Sequence, residues 1–347
     1  MEDLRKKRKK EHIKYFLELE KHLNRNVFDD VTIIHNCLSE INPKEIDIST
    51  NLQNIKLRSP IIINAMTGGF YGAKIINKNL ARIAKELDIA MAVGSQKIAL
   101  DNPENIPSFS IVRKENPDGI IFANLSSEAT VDDALKAIDM IEADAIQIHL
   151  NMPQEIIMSE GRTNFANTID NIKELLHNIN VPVIIKEVGF GVAAEDAQKL
   201  VDCGANIIDI GGAGGTNFIC IENLRQTKSP YYNLEHWGIP TAASLVEVVK
   251  QVGDKADVIS SGGLKTGLDV VKSLALGANA TAFAGTFLYI LMKKGPDVLK
   301  KHILKMEREI KYTMAMAGAK NIAEIRQRPL IVEGRTYNWL KQRGFYK

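Results

Sequence analysis

Cysteine is scarce in this chain of 347 residues. The three present, Cys37, Cys203 and Cys220, are widely spaced and form no Cys-x-x-Cys pair. That excludes a disulfide scaffold and a zinc ribbon, and it fits a reducing, cytoplasmic compartment. Charge of one sign is lacking too. The 44 Lys and Arg nearly cancel the 42 Asp and Glu, leaving +2, so the balance gives no reason to expect a nucleic-acid partner. No secretory signal is expected, because the basic run Arg5–Lys10 passes into EHIKYFLELEKHL, where charges recur every few residues. The longest uncharged stretch, Ser273–Met292, is broken by Gly277, Asn279, Thr281, Gly285 and Thr286. It reads as a helix end, a buried strand and a Gly-containing loop, not as a membrane span.

With 45% hydrophobic and 25% charged residues, the composition is that of a globular protein with ample core. From Pro60 onward, short apolar runs alternate with longer amphipathic stretches. The runs are 61–65, 90–94, 119–124, 145–149, 182–188, 206–210, 256–261 and 280–284. Continuous Ile/Val/Ala runs belong to parallel strands buried on both faces. Helical patterns lie between them at 74–87, 131–142, 194–203, 241–252 and 266–276. Eight strands in succession predict a closed (β/α)8 TIM barrel. An open doubly wound sheet more often stops earlier, and no Gly-x-Gly-x-x-Gly follows the first strand. The expected organisation is one domain over 1–347: an extension over 1–59 with an amphipathic helix near 9–23, a barrel over 60–295, and C-terminal helices over 296–347 that begin with one at 296–316. The connection 211–240 is too long for an ordinary loop and is expected to be functional.

Active sites of such barrels gather at the C-terminal strand ends. Here those ends read MTGG (66–69), GSQK (94–97), Asn124, HLNMPQE (149–155), Lys186, GGAGGTNF (211–218), SGGLKTG (261–267) and AGTF (284–287). Glycines at three consecutive strand ends either mark tight turns or let backbone N–H groups approach a phosphate, helped by a helix N-terminus; the run of three favours phosphate. Lys186 inside a strand needs an anion or a catalytic task. The bland alternative pairs it with Glu187, although strand alternation sends the two to opposite faces. No Ser-His-Asp order and no zinc-protease spacing occur. A lone carboxylate such as Glu155 together with substrate phosphates would suit Mg²⁺. Arg5–Lys10 is a solvated tail, a nucleic-acid arm, or a segment that folds over a polyanion.

Several motifs then become recognisable in order: RKKEHI (8–13), FDDVTIIHN (28–36), INAMTGG (63–69), AVGSQ (92–96), QIHLNMPQE (147–155), SEGRTNF (159–165), VIIKEVGFG (183–191), GGAGGTNF, WGIPT (237–241) and SGGLKTGLDVVKSLALGA (261–278). From about residue 8 to 320 the chain resembles the type 2 isopentenyl-diphosphate isomerases. The glycine motifs are shared with other FMN barrels; the N-terminal RKKEH joined to HLNMPQE is specific. The resemblance implies an enzyme that interconverts isopentenyl and dimethylallyl diphosphate with reduced FMN and Mg²⁺, without net redox change, with NADPH reducing the flavin. It implies that Ala65, Met66, Thr67, Gly68, Gly69, Ser95, Asn124, Lys186, Gly211 and Thr216 line the flavin, and that Gly262, Gly263, Leu264, Lys265, Ala284 and Gly285 hold its phosphate. Arg8, Lys9, His12, Ser95, Gln96, Lys97, His149, Asn151 and Gln154 would bind the diphosphate substrate. Gln154, Glu155 and Lys186 would be catalytic: Gln154 by the allylic carbons as a relay, Glu155 as the Mg²⁺ ligand, Lys186 near the ring's N1 side. The expected partner is this small molecule, with no nucleic acid and no membrane, in a homotetramer or larger. The rivals are an FMN oxidoreductase of the 2-hydroxy-acid oxidase or glutamate synthase type, which would want a His base and an Arg clamp late in the barrel, and a non-catalytic flavin-binding scaffold.

Overall fold

All eight apolar runs become strands of one closed barrel in the computed structural model, which describes residues 2–20, 26–226 and 230–346. The strands are β1 (Ile61–Ile63), β2 (Met91–Ala92), β3 (Ile121–Ser126), β4 (Ala145–Leu150), β5 (Val183–Glu187), β6 (Ile207–Asp209), β7 (Asp257–Ser261) and β8 (Ala280–Phe283). Each pairs parallel with its neighbours, and β8 closes on β1. Helices cover the outside at Tyr71–Leu87, Val131–Ile141, Ala194–Asp202, Thr241–Val252 and Gly267–Ala275, each within three residues of its pattern in the sequence. The C-terminal helix runs Pro296–Ala317. Residues 211–240 carry a helix of their own, Phe218–Arg225, capped by Asn217, whose side chain accepts from Cys220 N–H.

Register places the polar layer of the barrel. Ser126, His149, Lys186 and Asp209 are mutual partners across β3, β4, β5 and β6. Asn124 and Gln147, two residues earlier, also pair with each other, and a period of two puts them on the same inward face. The floor is apolar. A hairpin, Thr50–Leu52 with Ile55–Leu57, lies under the N-terminal strand ends, and its Leu52, Ile55 and Leu57 pack with Ile62, Phe122, Ile184 and Ile259. Thr50 donates to Asn279 O at 2.8 Å, and Gln53 N–H donates to Asp257 Oδ2 at 2.6 Å. The two ends of the chain are stitched by a second antiparallel pair, Val31–Ile33 with Leu330–Val332.

Two expectations change. The basic run is not a loose tail: it lies within a helix, Glu2–Leu19, that starts earlier than expected, while positions 21–23 of the expected helix fall outside the described residues. Within Ser273–Met292 there is no Gly-containing loop after the strand. Ala284 turns the chain straight from β8 into the helix Gly285–Lys294. No helix among the described residues is long and apolar enough to cross a membrane.

The hairpin is a plug with a hydrocarbon face, so its effect should be on stability alone. Leu52→Ala is expected to cost about 2–5 kcal/mol, read as a lower urea midpoint, with phosphate-ligand affinity at the opposite end of the barrel unchanged.

Candidate active site

The glycine loops after β6, β7 and β8 meet in one cradle, lined by Gly211, Gly214, Gly215, Thr216, Gly262, Gly263, Leu264, Lys265, Ala284, Gly285 and Thr286. Backbones approach here more closely than side chains permit. A Cβ on Gly215 would stand 2.6 Å from Gly263 N, and Gly263 itself has φ +92°, a region L-residues avoid. Thr286 Oγ1 donates to Leu264 O at 2.9 Å and ties two of the loops together.

The helix after β7 does not supply the anion site that its position suggests. Thr266 and Asp269 form a capping box, and Asp269 Oδ2 takes the N–H groups of Lys265 and Thr266, both at 2.9 Å. Gly267 N–H goes to Glu309 Oε2 at 3.0 Å. Those donors are consumed. The helix Gly285–Lys294 has no side-chain cap, so its first turn, in the cradle wall, is the terminus with free N–H groups and a favourable dipole. One acidic side chain, Glu20, also lines the cradle, and burial raises its carboxyl pKa against the opposing pull of Lys265.

Beside the cradle, Lys186 is buried, its Nζ 3.0 Å from Asp209 and donating to Glu187 O at 2.9 Å. Asp209 also accepts from Asn64 Nδ2 at 2.9 Å and from Ser261 Oγ. Glu187 is not the ion partner of Lys186. It faces the other way and receives the N–H groups of Gly189, Phe190 and Gly191, while burial pushes its carboxyl up to about 7 in spite of them.

The cradle opens into a cavity of about 580 Å³, within the range of small-molecule sites. The N-terminal helix lies over it and brings Arg8, Lys9 and His12 to its wall. Lys9 Nζ donates to Ser95 O at 3.0 Å. His12 Nε2 is 2.8 Å from Glu222 Oε1, which also accepts from Gln154 Nε2 at 3.0 Å. Glu222 is fully buried and meets Arg225, which continues to Glu11 at 3.1 Å and Glu160 at 2.6 Å. Burial would raise the Glu222 carboxyl, but the bonds from His12 and Gln154 and the charge of Arg225 hold it below its ordinary value. Glu155 accepts from Asn151 Nδ2 at 2.9 Å and from Arg162 N–H at 3.0 Å. Burial, with Lys186 nearby, lowers the His149 pKa to about 4, so its ring is neutral at pH 7.

Arg8, Lys9, His12, Ala65, Met66, Thr67, Ser95, Lys97, Asn124, His149, Asn151, Gln154, Glu155 and Lys186 therefore share one cavity, with Gly211, Thr216, Gly262, Gly263, Leu264, Lys265, Ala284 and Gly285 in or beside it. Three residues of the expected set stand elsewhere. Gln96 is fully buried: its Oε1 accepts from Asn124 N–H at 3.0 Å and its Nε2 donates to Ala137 O at 2.8 Å, which leaves nothing for a ligand. Gly68 and Gly69 stand behind the cavity wall, where a Cβ on Gly68 would enter the Phe109 ring and Gly69 N–H donates to Ser108 Oγ at 2.8 Å. Sequence reasoning missed Asp209, Glu222, Arg225 and Arg162. Arg162, in SEGRTNF, lines the cavity and pairs with Glu128 at 3.0 Å, and its buried Nε has no partner.

The family profile for FMN-dependent dehydrogenases matches residues 125–332. Over 98% of its length the chain is 47% identical to the isopentenyl-diphosphate delta-isomerase of Bacillus licheniformis, covering 97% of that protein. The chain belongs to the isopentenyl-diphosphate delta-isomerase family. The proteins of that name from a Geobacillus species (47% identity, 98% and 97% of the two chains) and Bacillus pumilus (45%, 98% and 95%) match likewise. Among solved structures, mandelate oxidase with 3,3-difluoro-2-hydroxy-3-phenylpropionic acid superposes with TM-score 0.66 at 18% identity, covering 93% of this chain and 95% of that one. The lactate oxidase of Pediococcus acidilactici gives 0.65 at 20%, covering 92% and 87%. These likenesses establish the barrel fold.

In this member of the family, the Glu222 carboxylate, through His12, is one of the ties that hold the N-terminal helix on the barrel, beside Lys9 to Ser95 O and Glu11 to Arg225. A hydrogen bond to a charged group contributes about 1.5–3 kcal/mol. Glu222→Ala should therefore make amide hydrogen exchange over residues 6–19 at least about tenfold faster while the barrel strands stay protected.

Proposed function

We propose that the protein interconverts isopentenyl and dimethylallyl diphosphate using reduced FMN and Mg²⁺ with no net redox change. The observation that carries the reading is the joining, in one cavity, of a glycine phosphate cradle to a second set of anion-seeking groups around Gln154 and Glu155. One phosphate-bearing ligand needs only one of these; a nucleotide cofactor and a diphosphate substrate need both.

The residues fit FMN. Glycine at 215 and 263 lets the loops after β6 and β7 close backbone to backbone around the cradle, where a Cβ would strike the facing loop, and Thr67 Oγ1, buried in the cavity wall, has no partner of its own. Gly262 to Lys265, Ala284, Gly285 and Thr216 would hold the phosphate; Ala65 to Thr67, Ser95, Asn124 and Lys186 would line the ring. When bound and reduced, FMN supplies an electron-rich surface with a nitrogen able to carry a proton. The Lys186 cation, which lines both cradle and cavity, would favour the anionic reduced form of a ring held there.

Moving the double bond adds a proton at one carbon and removes another two carbons away, with positive charge at the tertiary carbon between. The chain's part is to exclude water and to position. Phe16, Met66, Ile221 and Leu288 give the cavity apolar walls, which protect a cationic carbon from hydration. Arg8, Lys9, Lys97 and Asn151 grip the diphosphate, remote from the reacting carbons, so its binding energy orients them. Gln154 is too weak an acid for direct protonation and orients or relays. Among the described residues no cluster of three metal-ligating side chains exists, which suits Mg²⁺ held by Glu155, water and substrate oxygens. NADPH as flavin reductant, a cytoplasmic location and a homotetramer or larger assembly belong to the same reading.

Anaerobic turnover of isopentenyl diphosphate with FMN, Mg²⁺ and NADPH, each omitted in turn, tests it. Product should require reduced flavin and Mg²⁺; bound flavin without product refutes the isomerase reading. Glu155→Gln should move the Mg²⁺ titration to at least about tenfold higher concentration with flavin retained. Lys186→Ala should weaken flavin retention or slow its reduction, read by absorbance after gel filtration.

A further inference from the structure

Amide side chains in the barrel mouth form one unbroken hydrogen-bond chain between Asp209 and His149. Asn64 Nδ2 donates to Asp209 Oδ2 at 2.9 Å, Gln147 Nε2 to Asn64 Oδ1 at 2.9 Å, and Asn124 Nδ2 to Gln147 Oε1 at 3.0 Å. His149 Nδ1 lies 3.0 Å from Asn124 Oδ1. The far end sets the direction of every bond. The backbone N–H of Ala65, a donor only, points at Asn64 Oδ1 at 2.9 Å. The Asp209 carboxylate, 3.0 Å from Lys186 Nζ, accepts only. Asn64 thus presents an acceptor to Gln147, Gln147 an acceptor to Asn124, and Asn124 its carbonyl to His149. The Leu125 carbonyl is a further acceptor beside the ring.

We infer that this chain locks neutral His149 as its Nδ1–H tautomer, so that the nitrogen left for the cavity, Nε2, carries a lone pair and no proton. Asp209, Asn64 and Gln147 are positioning residues: they reach His149 only through one another and Asn124. What a ligand does next rests on the diphosphate reading above; the tautomer does not. A bare Nε2 cannot donate to a phosphate oxygen. It can accept a proton instead: one from the diphosphate's own P–OH or from solvent moves to Nε2, giving an imidazolium, with Nδ1–H still on Asn124, that donates to a deprotonated phosphate oxygen. Lys186 on β5 and Lys9 on the N-terminal helix oppose that charge in the free protein, and the polyanion compensates them. His149 is then a proton acceptor for the arriving ligand, not a standing cation.

The test is long-range ¹H–¹⁵N correlation on the full-length, FMN-loaded protein labelled with ¹⁵N-histidine at pH 7, with the His149 signals identified by their loss in His149→Gln. The expected pattern is a pyrrole-type Nδ1 and a pyridine-type Nε2; the reverse pattern, or two protonated nitrogens, overturns the inference. Gln147 is buried and is not itself in the cavity lining, so Gln147→Met cuts the chain while leaving every lining side chain, Asn64 and Asn124 included, in place. It should introduce the Nε2–H tautomer. A folded Gln147→Met with an unchanged Nδ1–H spectrum refutes the chain as the cause and leaves the Leu125 carbonyl in that role; if the variant does not fold, the wild-type spectrum still decides. Added inorganic pyrophosphate should convert Nε2 to the protonated type. No conversion overturns the proton transfer, and no pyrophosphate binding at all counts against the diphosphate reading while the tautomer stands.

Discussion

The buried pair of Lys186 and Asp209 is the constraint around which the rest of the barrel is arranged. Taking two charges out of water costs several kcal/mol per ion, and attraction offsets that only when the remaining lone pairs and protons are also satisfied. Here they are. Asp209 takes Asn64, Ser261 and the N–H of Gly211, while Lys186 finds the Glu187 carbonyl. These bonds draw side chains from β1, β5, β6 and β7 into one layer. Below that layer come the amides of Gln147 and Asn124 and then a hydrocarbon floor against the hairpin plug; above it come glycine loops and open cavity. One polar layer thus separates the half of the barrel that holds the fold from the half that meets ligand.

Above the layer, anions are met in two physically different ways. The cradle uses backbone N–H groups, which demand glycine because a Cβ would collide with a neighbouring loop. It carries little formal charge, and the Asp269 cap even removes donors from it. The larger cavity is lined by the cations Arg8, Lys9 and Lys97, and the charge of Lys97 is partly balanced in place. Lys97 lies 3.0 Å from Asp101 and 3.5 Å from Asp133. A backbone cradle is rigid and suits a resident cofactor, whereas cations with surface partners exchange one anion for another at small cost.

Much of this was legible in the sequence, for reasons that can be named. Barrel strands are continuous apolar runs, so the run at 182–188 marks β5 without help from neighbours, and glycine-rich strand ends mark the cradle. Partners were not legible. Asp209 closes an apolar run and reads as an ordinary strand-end carboxylate until register places it beside Lys186. Glu222 sits in a connection whose helix has little amphipathic pattern, and its value lies in contacts to residues 68 and 210 positions away. Gln96 failed in the opposite way: adjacency to Ser95 and Lys97 suggested the ligand, but its side chain turns inward to Asn124. The Arg5–Lys10 run looked like a tail because nothing local announces the Glu222 and Arg225 network that binds the next two residues of its helix, Glu11 and His12.

That network also joins the two ends of the cavity. A single oxygen, Glu222 Oε1, takes His12 at 2.8 Å and Gln154 at 3.0 Å. His12 stands with Arg8 and Lys9 on the N-terminal helix and Gln154 with Glu155 on the barrel side of the cavity, so neither can move without altering the other's bond. Residues that share one acceptor behave as a unit, and their contributions do not add. The N-terminal helix is therefore more than a lid. By completing the coordination of Glu222 it fixes the orientation of the Gln154 amide, and it makes the shape of the cavity around Gln154 conditional on the segment that carries Arg8, Lys9 and His12.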